Sequence, residues 1–242
     1  GGQVAYVTQG ALHVRNLATG EDRALAEPES DTVTYGLAEF IAAEELDRMR
    51  GYWWSPDGTA LLVERADDAP VARWHIADPA NPGREPTRVG YPAAGTANAE
   101  VTLFVLGLDG SRVEVPFDDE YLAGARWNRH GLFIVTMPRD QRTIRLLRVD
   151  PATGASTLVR EDTDPAWVDV HPSVPAFLSD GTLVWIAPAE GANRLVVGDR
   201  AVTPPELEVR GVCDVDGDTV LFRAYDGDPT RIHLYTWSPG GE

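Results

Sequence analysis

The sequence predicts an all-β fold of the β-propeller type, with about five recognisable blades that would fit within a larger ring of up to eight. Two observations lead to this prediction. A unit of two short β-type runs, each followed by a turn, recurs along the chain, and a turn resembling Ser-Pro-Asp-Gly leads into several of these units. The spacing between units is irregular, which indicates an elaborated propeller rather than a uniform one.

The runs within these units alternate in polarity or are rich in Val, Leu, Ile, Tyr and Trp, as half-buried strands are. Turns with an Asp-Gly step allow positive φ and tight hairpins. Trp53 and Trp54 are predicted to be packing residues, one on each face of a strand. The paired runs are Val4–Thr8 with Ala11–Leu17, Leu132–Met137 with Thr143–Val149, Thr182–Pro188 with Arg194–Val197, and Thr219–Tyr225 with Arg231–Trp237; the turns are Ser55–Gly58, Asn128–Gly131, Ser179–Gly181 and Asp216–Gly217.

Two segments break the strand pattern. Residues 36–50 carry apolar side chains at mixed i+3 and i+4 spacings, which predicts a short amphipathic helix inserted between strands. Residues 75–100 are rich in Pro, Ala, Gly and Asn and are predicted to form a long loop. Inserts and loops on a rigid scaffold commonly carry function, so both are candidates for a binding site. Residues 1–242 as a whole are predicted to be a single propeller domain or a fragment of one.

The charge balance is strongly acidic, with 38 Asp and Glu against 21 basic residues, all of them Arg, and a net charge of −17. Such a charge argues against binding to nucleic acid or to anionic membranes. Cys213 has no partner for an internal disulfide and is expected to lie buried in a strand. The chain carries no signal-peptide or membrane-span pattern, and both ends resemble cuts through a longer protein; the location is undetermined, with the cytoplasm favoured.

The sequence carries no recognisable catalytic or metal-binding motif. A G-x-S-x-G nucleophile elbow, a P-loop and a G-x-G-x-x-G loop are all missing. The five histidines are scattered without metal-ligand spacing. Asp214–Asp218 resembles the start of a calcium loop, but Tyr225 occupies the position where such a loop needs its bidentate Glu, so a hairpin turn is favoured. We assign no catalytic residue, metal or cofactor to this chain.

The predicted helix carries two adjacent carboxylates, Glu44 and Glu45. Neighbouring helical positions are about 100° apart, so both side chains can point to one side. Their mutual repulsion is unfavourable unless a cation lies between them, and the α-ammonium of a peptide, with three donors, is such a cation. A Glu-Glu pair by itself is usually a solvated helix face. The residues alone leave both interpretations open.

Three motifs, in this order, resemble the dipeptidyl peptidase IV family of serine peptidases, and within it the branch of dipeptidyl peptidases 8 and 9. The resemblance covers essentially the whole chain as the family's N-terminal propeller region, and it is most specific over residues 39–110. The motifs are Glu44–Arg48, Gly51–Gly58 and Tyr91–Asn98, with further support from Glu120–Leu122, Trp127 and Trp167–His171.

The resemblance implies roles for particular residues. Members of the family hold the free amino terminus of the substrate with a double-Glu motif on a helical insert of the propeller, and Glu44 and Glu45 match that motif. A phenylalanine just before a blade turn lines the substrate pocket in some members, and Phe177 matches it. The catalytic Ser, Asp and His of the family lie in a C-terminal α/β-hydrolase domain that is absent from this chain, so we expect the chain alone to be inactive.

The expected function is that of the substrate-gating, amino-terminus-binding propeller of a serine exopeptidase that releases N-terminal dipeptides, with Xaa-Pro or Xaa-Ala implied by the resemblance. The expected partners are a peptide with a free amino terminus, the α/β-hydrolase domain of the same parent chain and a second copy in a homodimer, and nucleic acid is not among them. A non-catalytic propeller that serves as a protein-interaction module is the alternative, because blade repeats alone do not separate the two.

Overall fold

A computed structural model describes residues 2–241 of the chain. In this range it contains twenty-one β-strands and one short α-helix, which confirms the predicted all-β class. The described residues form two compact units. The first runs to Arg139 and also includes Leu147–Val159; the second comprises Asp140–Leu146 and the chain from Arg160 onward. Between residues 2 and 241, no helix has the length and apolar character needed to cross a bilayer.

The elements follow one another along the chain with short connections. They are β1 (Gln3–Thr8), β2 (Ala11–Asn16), β3 (Asp22–Ala26), β4 (Val33–Tyr35), α1 (Phe40–Glu45), β5 (Tyr52–Trp54), β6 (Ala60–Asp67), β7 (Arg73–Ile76), β8 (Thr87–Gly90), β9 (Glu100–Gly107), β10 (Arg112–Val115), β11 (Tyr121–Asn128), β12 (Gly131–Met137), β13 (Thr143–Val149), β14 (Ser156–Thr163), β15 (Ala176–Phe177), β16 (Leu183–Ala189), β17 (Ala192–Val197), β18 (Arg200–Ala201), β19 (Leu207–Asp216), β20 (Thr219–Asp226) and β21 (His233–Trp237).

Five sheets of neighbouring strands account for most of these elements. Their orders are β1-β2-β3, β10-β9-β6-β4 with β5 also on β6, β11-β12-β13-β14, β15-β16-β17-β18, and β19-β20-β21. A small meander that pairs strands adjacent in sequence is how a propeller blade is built. The number of these sheets agrees with the prediction of about five blades. Strands β7 and β8 form a separate two-stranded hairpin.

Two hydrophobic clusters fill the first unit on either side of β6. Leu61 and Val63 belong to one cluster and Leu62 to the other, as the alternation of side chains along a strand requires. On the neighbouring strand β5, Trp54 packs against the first cluster and Trp53 against the second. This confirms the prediction that one Trp faces each side of its strand. A strand buried on both faces has little room for a charged side chain.

The predicted turns are confirmed by backbone conformation. Their glycines adopt positive φ, the region that favours glycine: Gly58 at +71°, Gly131 at +137°, Gly181 at +89° and Gly217 at +58°. Asp214–Asp218 runs from the end of β19 into the β19–β20 hairpin turn. Within residues 2–241, no group of three or more His, Cys, Asp or Glu side chains is arranged to hold a metal ion.

Two expectations about the strands and the loop between them are wrong. The segment 75–100 is not a continuous loop, because the end of β7 pairs with β8 within it, with His75 opposite Arg88. The strands of this hairpin are only four residues each, and the Pro, Gly and Asn between them dominate the local composition. Cys213 lies in β19 but is exposed. The pairing of β19 with β20 shifts register around this residue, which leaves Cys213 outside the ladder.

Candidate functional site

The insert between β4 and β5 is closed at its base by backbone hydrogen bonds. The Gly36 amide donates to the Glu64 carbonyl of β6 at 2.8 Å, the Glu64 amide donates to the Gly51 carbonyl at 2.7 Å, and the Gly51 amide donates to the Gly36 carbonyl at 2.9 Å. A Cβ at Gly51 would lie 2.7 Å from the Leu37 carbonyl oxygen. The two ends of the insert can approach this closely because position 51 has no side chain.

The helix of the insert, α1, spans Phe40–Glu45 and is shorter than the predicted 36–50. Glu39 caps it, since its carboxylate accepts hydrogen bonds from two backbone amides of the first turn, each at 2.6 Å. Beyond the helix, two backbone amides donate to the carbonyl of Ala42. The chain then leaves the helical path at Asp47, whose φ of +52° is left-handed.

Glu44 and Glu45, the predicted site residues, lie in the last turn of α1, and both are exposed. Among the residues that the structure describes, neither carboxylate has a hydrogen-bond or ion-pair partner. This placement is electrostatically unfavourable for two reasons. The carboxylates repel each other, and they lie at the end of a helix where the carbonyl dipoles favour a positive charge. A cation that binds here would relieve both repulsions.

A buried ion pair lies beneath the insert. The side chain of Glu64 is 0% exposed and accepts a hydrogen bond from Arg48 Nη1 at 2.5 Å. Its other oxygen accepts from the Glu39 backbone amide at 3.2 Å. Burial holds the pKa of both the Glu64 and the Glu39 carboxyl above the ordinary value, although the charge of Arg48 offsets part of this rise. The sequence analysis missed this pair. The sequence carries a signal for Glu64 alone, because this residue follows directly on the apolar run Ala60–Val63 within one strand.

Arg48 ties the insert to two neighbouring sheets. Its side chain is only 10% exposed. Besides its bond to Glu64, Nη1 donates to the Arg50 carbonyl at 3.2 Å, and Nη2 donates to the Leu122 carbonyl of β11 at 2.9 Å. The guanidinium carbon also lies 5.8 Å from the centre of the Trp53 ring, within range of a cation–π contact. One side chain thus joins the insert to both β6 and β11.

A second polar cluster joins the end of the Tyr91–Asn98 loop to the start of β11. Asn98 is 9% exposed, and its Nδ2 donates to Glu120 Oε1 at 2.6 Å and to the Tyr121 hydroxyl at 2.9 Å. Arg139 Nη1 also donates to the Glu120 carboxylate, at 3.2 Å. Burial raises the pKa of Tyr121, while the bond from Asn98 lowers it. This loop motif therefore meets β11 next to the strand residue that Arg48 contacts.

The other end of the same loop contacts α1. The Tyr91 ring lies edge-on to the Phe40 ring, with centroids 5.4 Å apart, and 4.8 Å from the Trp74 ring of β7. All three rings remain more than a third exposed. These contacts brace the start of the helix against the β7–β8 hairpin. The three motifs that carry the resemblance are therefore gathered at one place in the first unit.

Phe177, the third predicted site residue, belongs to the second unit. It lies in the two-residue strand β15, opposite Leu183 of β16, and its side chain is half-buried. The structure therefore groups Glu44 and Glu45 with the largely buried Arg48 and the fully buried Glu64, and it places Phe177 in a different compact unit.

Comparison with known proteins identifies the family. The sequence model of the family described as "Dipeptidyl peptidase IV (DPP IV) N-terminal region" matches residues 1–239. The chain belongs to this family. The resemblance predicted from the three motifs is confirmed.

Individual relatives of the dipeptidyl peptidase IV family are distant in sequence. Dipeptidyl peptidase 8 of Homo sapiens is 24% identical over 223 residues, covering 69% of this chain and 25% of that protein. Venom dipeptidyl peptidase 4 of Apis mellifera is 28% identical over 238 residues, covering 85% and 31%. Inactive dipeptidyl peptidase 10 of Rattus norvegicus is 24% identical over 263 residues, covering 100% and 33%. The chain thus spans 25–33% of the length of these curated relatives.

The fold of this chain is similar to that of a dipeptidyl peptidase of known structure. The crystal structure of Porphyromonas gingivalis dipeptidyl peptidase 4 matches with a TM-score of 0.89 at 20% sequence identity. The match covers 100% of this chain and 37% of that one. This likeness supports the propeller fold of a dipeptidyl peptidase N-terminal region.

Proposed function

We propose that this chain is the substrate-gating, amino-terminus-binding propeller of a serine exopeptidase that releases N-terminal dipeptides, with Xaa-Pro or Xaa-Ala as the released unit. The observation that carries the proposal is the pair Glu44 and Glu45. They are adjacent and exposed at the end of α1, and within residues 2–241 neither has a hydrogen-bond or ion-pair partner. Membership in the dipeptidyl peptidase IV family supports it, because the resemblance assigns the double-Glu motif of that family to these two residues.

The proposed chemistry is recognition of an ammonium group. A free α-amine has a pKa of about 8, so near neutral pH it is a cation with three donors. The two carboxylates offer acceptors for all three, and hydrogen bonds to charged groups contribute roughly 1.5–3 kcal/mol each. An extended dipeptide spans about 7 Å. A clamp on the amine would therefore place the bond after the second residue at a fixed distance, where the serine of the α/β-hydrolase domain of the same parent chain would attack it.

The proposal is tested in the full-length parent protein with Glu44→Gln, Glu45→Gln and the double variant. Each Gln keeps the side-chain shape but removes the charge. For a chromogenic dipeptide substrate with a free amine, loss of one charge-assisted bond should lower kcat/KM by about 10–150-fold. The N-acetylated form of the same substrate has no ammonium group and should be turned over equally by all four proteins. Active-site titration with a phosphonate inhibitor normalises each preparation. Equal losses on both substrates, or no loss on either, would contradict the clamp.

One comparison favours keeping a second candidate, a non-catalytic propeller that binds other proteins. The rat relative carries the name inactive dipeptidyl peptidase 10, although it matches the whole of this chain. Family membership is thus compatible with a protein that does not cleave peptides. The parent reading frame decides between the two: a G-x-S-x-G elbow followed by Asp and then His predicts a peptidase, and loss of that Ser predicts the interaction module.

The homodimer expected from the resemblance is a separate proposal. Analytical ultracentrifugation of the full-length protein tests it.

A further inference from the structure

We infer that Arg48 is a positioning residue for the amino-terminus clamp: held by the buried Glu64, it determines where the Glu44 and Glu45 carboxylates stand. This inference deepens the proposed function and rests on it. Arg48 does not touch the substrate in this scheme. It acts through the helix that carries the two carboxylates.

The main chain of Arg48 is bonded to that helix. Its backbone amide donates to the Ala42 carbonyl of α1 at 3.0 Å. Its side chain is bonded to the scaffold, with Nη1 on the Glu64 carboxylate of β6 and Nη2 on the Leu122 carbonyl of β11. A single residue therefore connects the end of α1 to strands of two different sheets.

Glu39 ties the start of α1 to Glu64 through its backbone amide, but at the end of the helix that carries the carboxylates Arg48 alone among residues 44–48 makes such a connection. Within the described part of the chain, every polar side-chain contact between residues 44–48 and another strand comes from Arg48. The adjacent Leu46 is buried and packs without directional bonds. Apolar packing can hold the helix against the scaffold, but a planar guanidinium with fixed donor directions also sets its orientation.

The energetics of buried ion pairs favour a role in geometry over a role in stability. Replacing such a pair by apolar residues of similar volume is often neutral or stabilising, because the cost of desolvating both charges disappears with them. Removing one partner alone is strongly destabilising. The guanidinium charge is also matched inside the protein by Glu64, so it leaves the two exposed carboxylates available to an external cation.

The decisive experiment measures KM and kcat of the full-length parent for a free-amine dipeptide substrate in two variants. Arg48→Lys keeps the charge but cannot reach three acceptors at once. The double variant Arg48→Met with Glu64→Leu removes the pair without leaving a buried charge. Both should raise KM by about tenfold or more, with kcat changed by less than about threefold and the melting temperature kept within a few degrees. The matched control is Arg145→Lys, in an exposed pair with Glu161, which should change neither constant.

Measuring Arg48→Lys in a protein that already carries Glu44→Gln and Glu45→Gln separates a positioning role from a general loss of structure. If Arg48 acts through the carboxylates, Arg48→Lys should have no further effect on KM once Glu44→Gln and Glu45→Gln are in place, because coupled residues are not additive. Additive effects, or an unchanged KM in a folded Arg48→Met and Glu64→Leu protein, overturn the inference. If that double variant does not fold, KM of Arg48→Lys decides alone. If Glu44→Gln and Glu45→Gln themselves leave kcat/KM for the free-amine substrate unchanged, the clamp is wrong, and that result is distinct from a failure of Arg48.

Discussion

Removing Arg48 alone should lower the thermal stability of the protein far more than removing Arg48 and Glu64 together. In Arg48→Met, Glu64 stays 0% exposed and keeps only the Glu39 backbone amide as a partner, at 3.2 Å. Breaking a buried pair in this way costs about 3–5 kcal/mol. For a domain of this size that loss corresponds to a fall in melting temperature of about 6–20 °C. Adding Glu64→Leu removes the unpaired charge and should recover most of that fall.

The pH dependence identifies the origin of the loss. Burial raises the pKa of Glu64 above its unfolded value, and without Arg48 only the hydrogen bond from the Glu39 amide offsets that rise. The folded Arg48→Met protein would then hold a proton that the unfolded chain releases, so its stability falls as pH rises through the unfolded pKa toward the folded one. Scanning calorimetry of wild type, Arg48→Met and the double variant at pH 5 and pH 8 should show the gap between single and double variants widening at pH 8. Equal melting temperatures for the two variants at both pH values would refute the reasoning.

Three further outcomes are expected. Gly51→Ala should lower the free energy of unfolding by about 1–3 kcal/mol in thermal denaturation, because its Cβ would overlap the Leu37 carbonyl. The control is Gly83→Ala, which has nothing near its Cβ and should change that free energy by less than about 0.5 kcal/mol. Asn98→Ala should cost about 1–3 kcal/mol by the same measurement, since Glu120 and Tyr121 lose a shared buried donor; a smaller loss would mean that water replaces it. Cys213 should react with a thiol reagent in the native protein, and protection until denaturant is added would contradict its exposure.

Much of the fold could be predicted because its signals are local. Val4–Thr8, Ala11–Leu17 and Thr143–Val149 were recognisable from alternation and turn residues, and the observed strands agree to within a residue at each end. The β7–β8 hairpin could not be predicted, because its strands are only four residues each and the Pro, Gly and Asn between them dominate the local composition. The helix was predicted too long, because the periodicity of 36–50 contains no information about the cap at Glu39 or the left-handed turn at Asp47.

The candidate site likewise contains residues that the sequence predicts and contacts that it does not. Glu44 and Glu45 could be singled out from the chain alone, because they are adjacent and the motifs that surround them are contiguous in sequence. Their exposure needed the structure, and so did the finding that neither has a hydrogen-bond or ion-pair partner within residues 2–241. The Arg48–Glu64 pair could not be proposed from sequence, since an Arg near acidic neighbours is usually solvated and its partner lies on another strand.

The local pattern of this chain is enough to specify strands, turns and the membership of the family, because each depends on residues close together in sequence. The tertiary structure alone decides what holds the insert that carries Glu44 and Glu45 in place. Arg48 meets Glu64 across 16 positions and Leu122 across 74. Contacts at such separations form only when strands from two sheets are packed around the insert, and the burial that results turns an arginine and a glutamate into a largely buried ion pair.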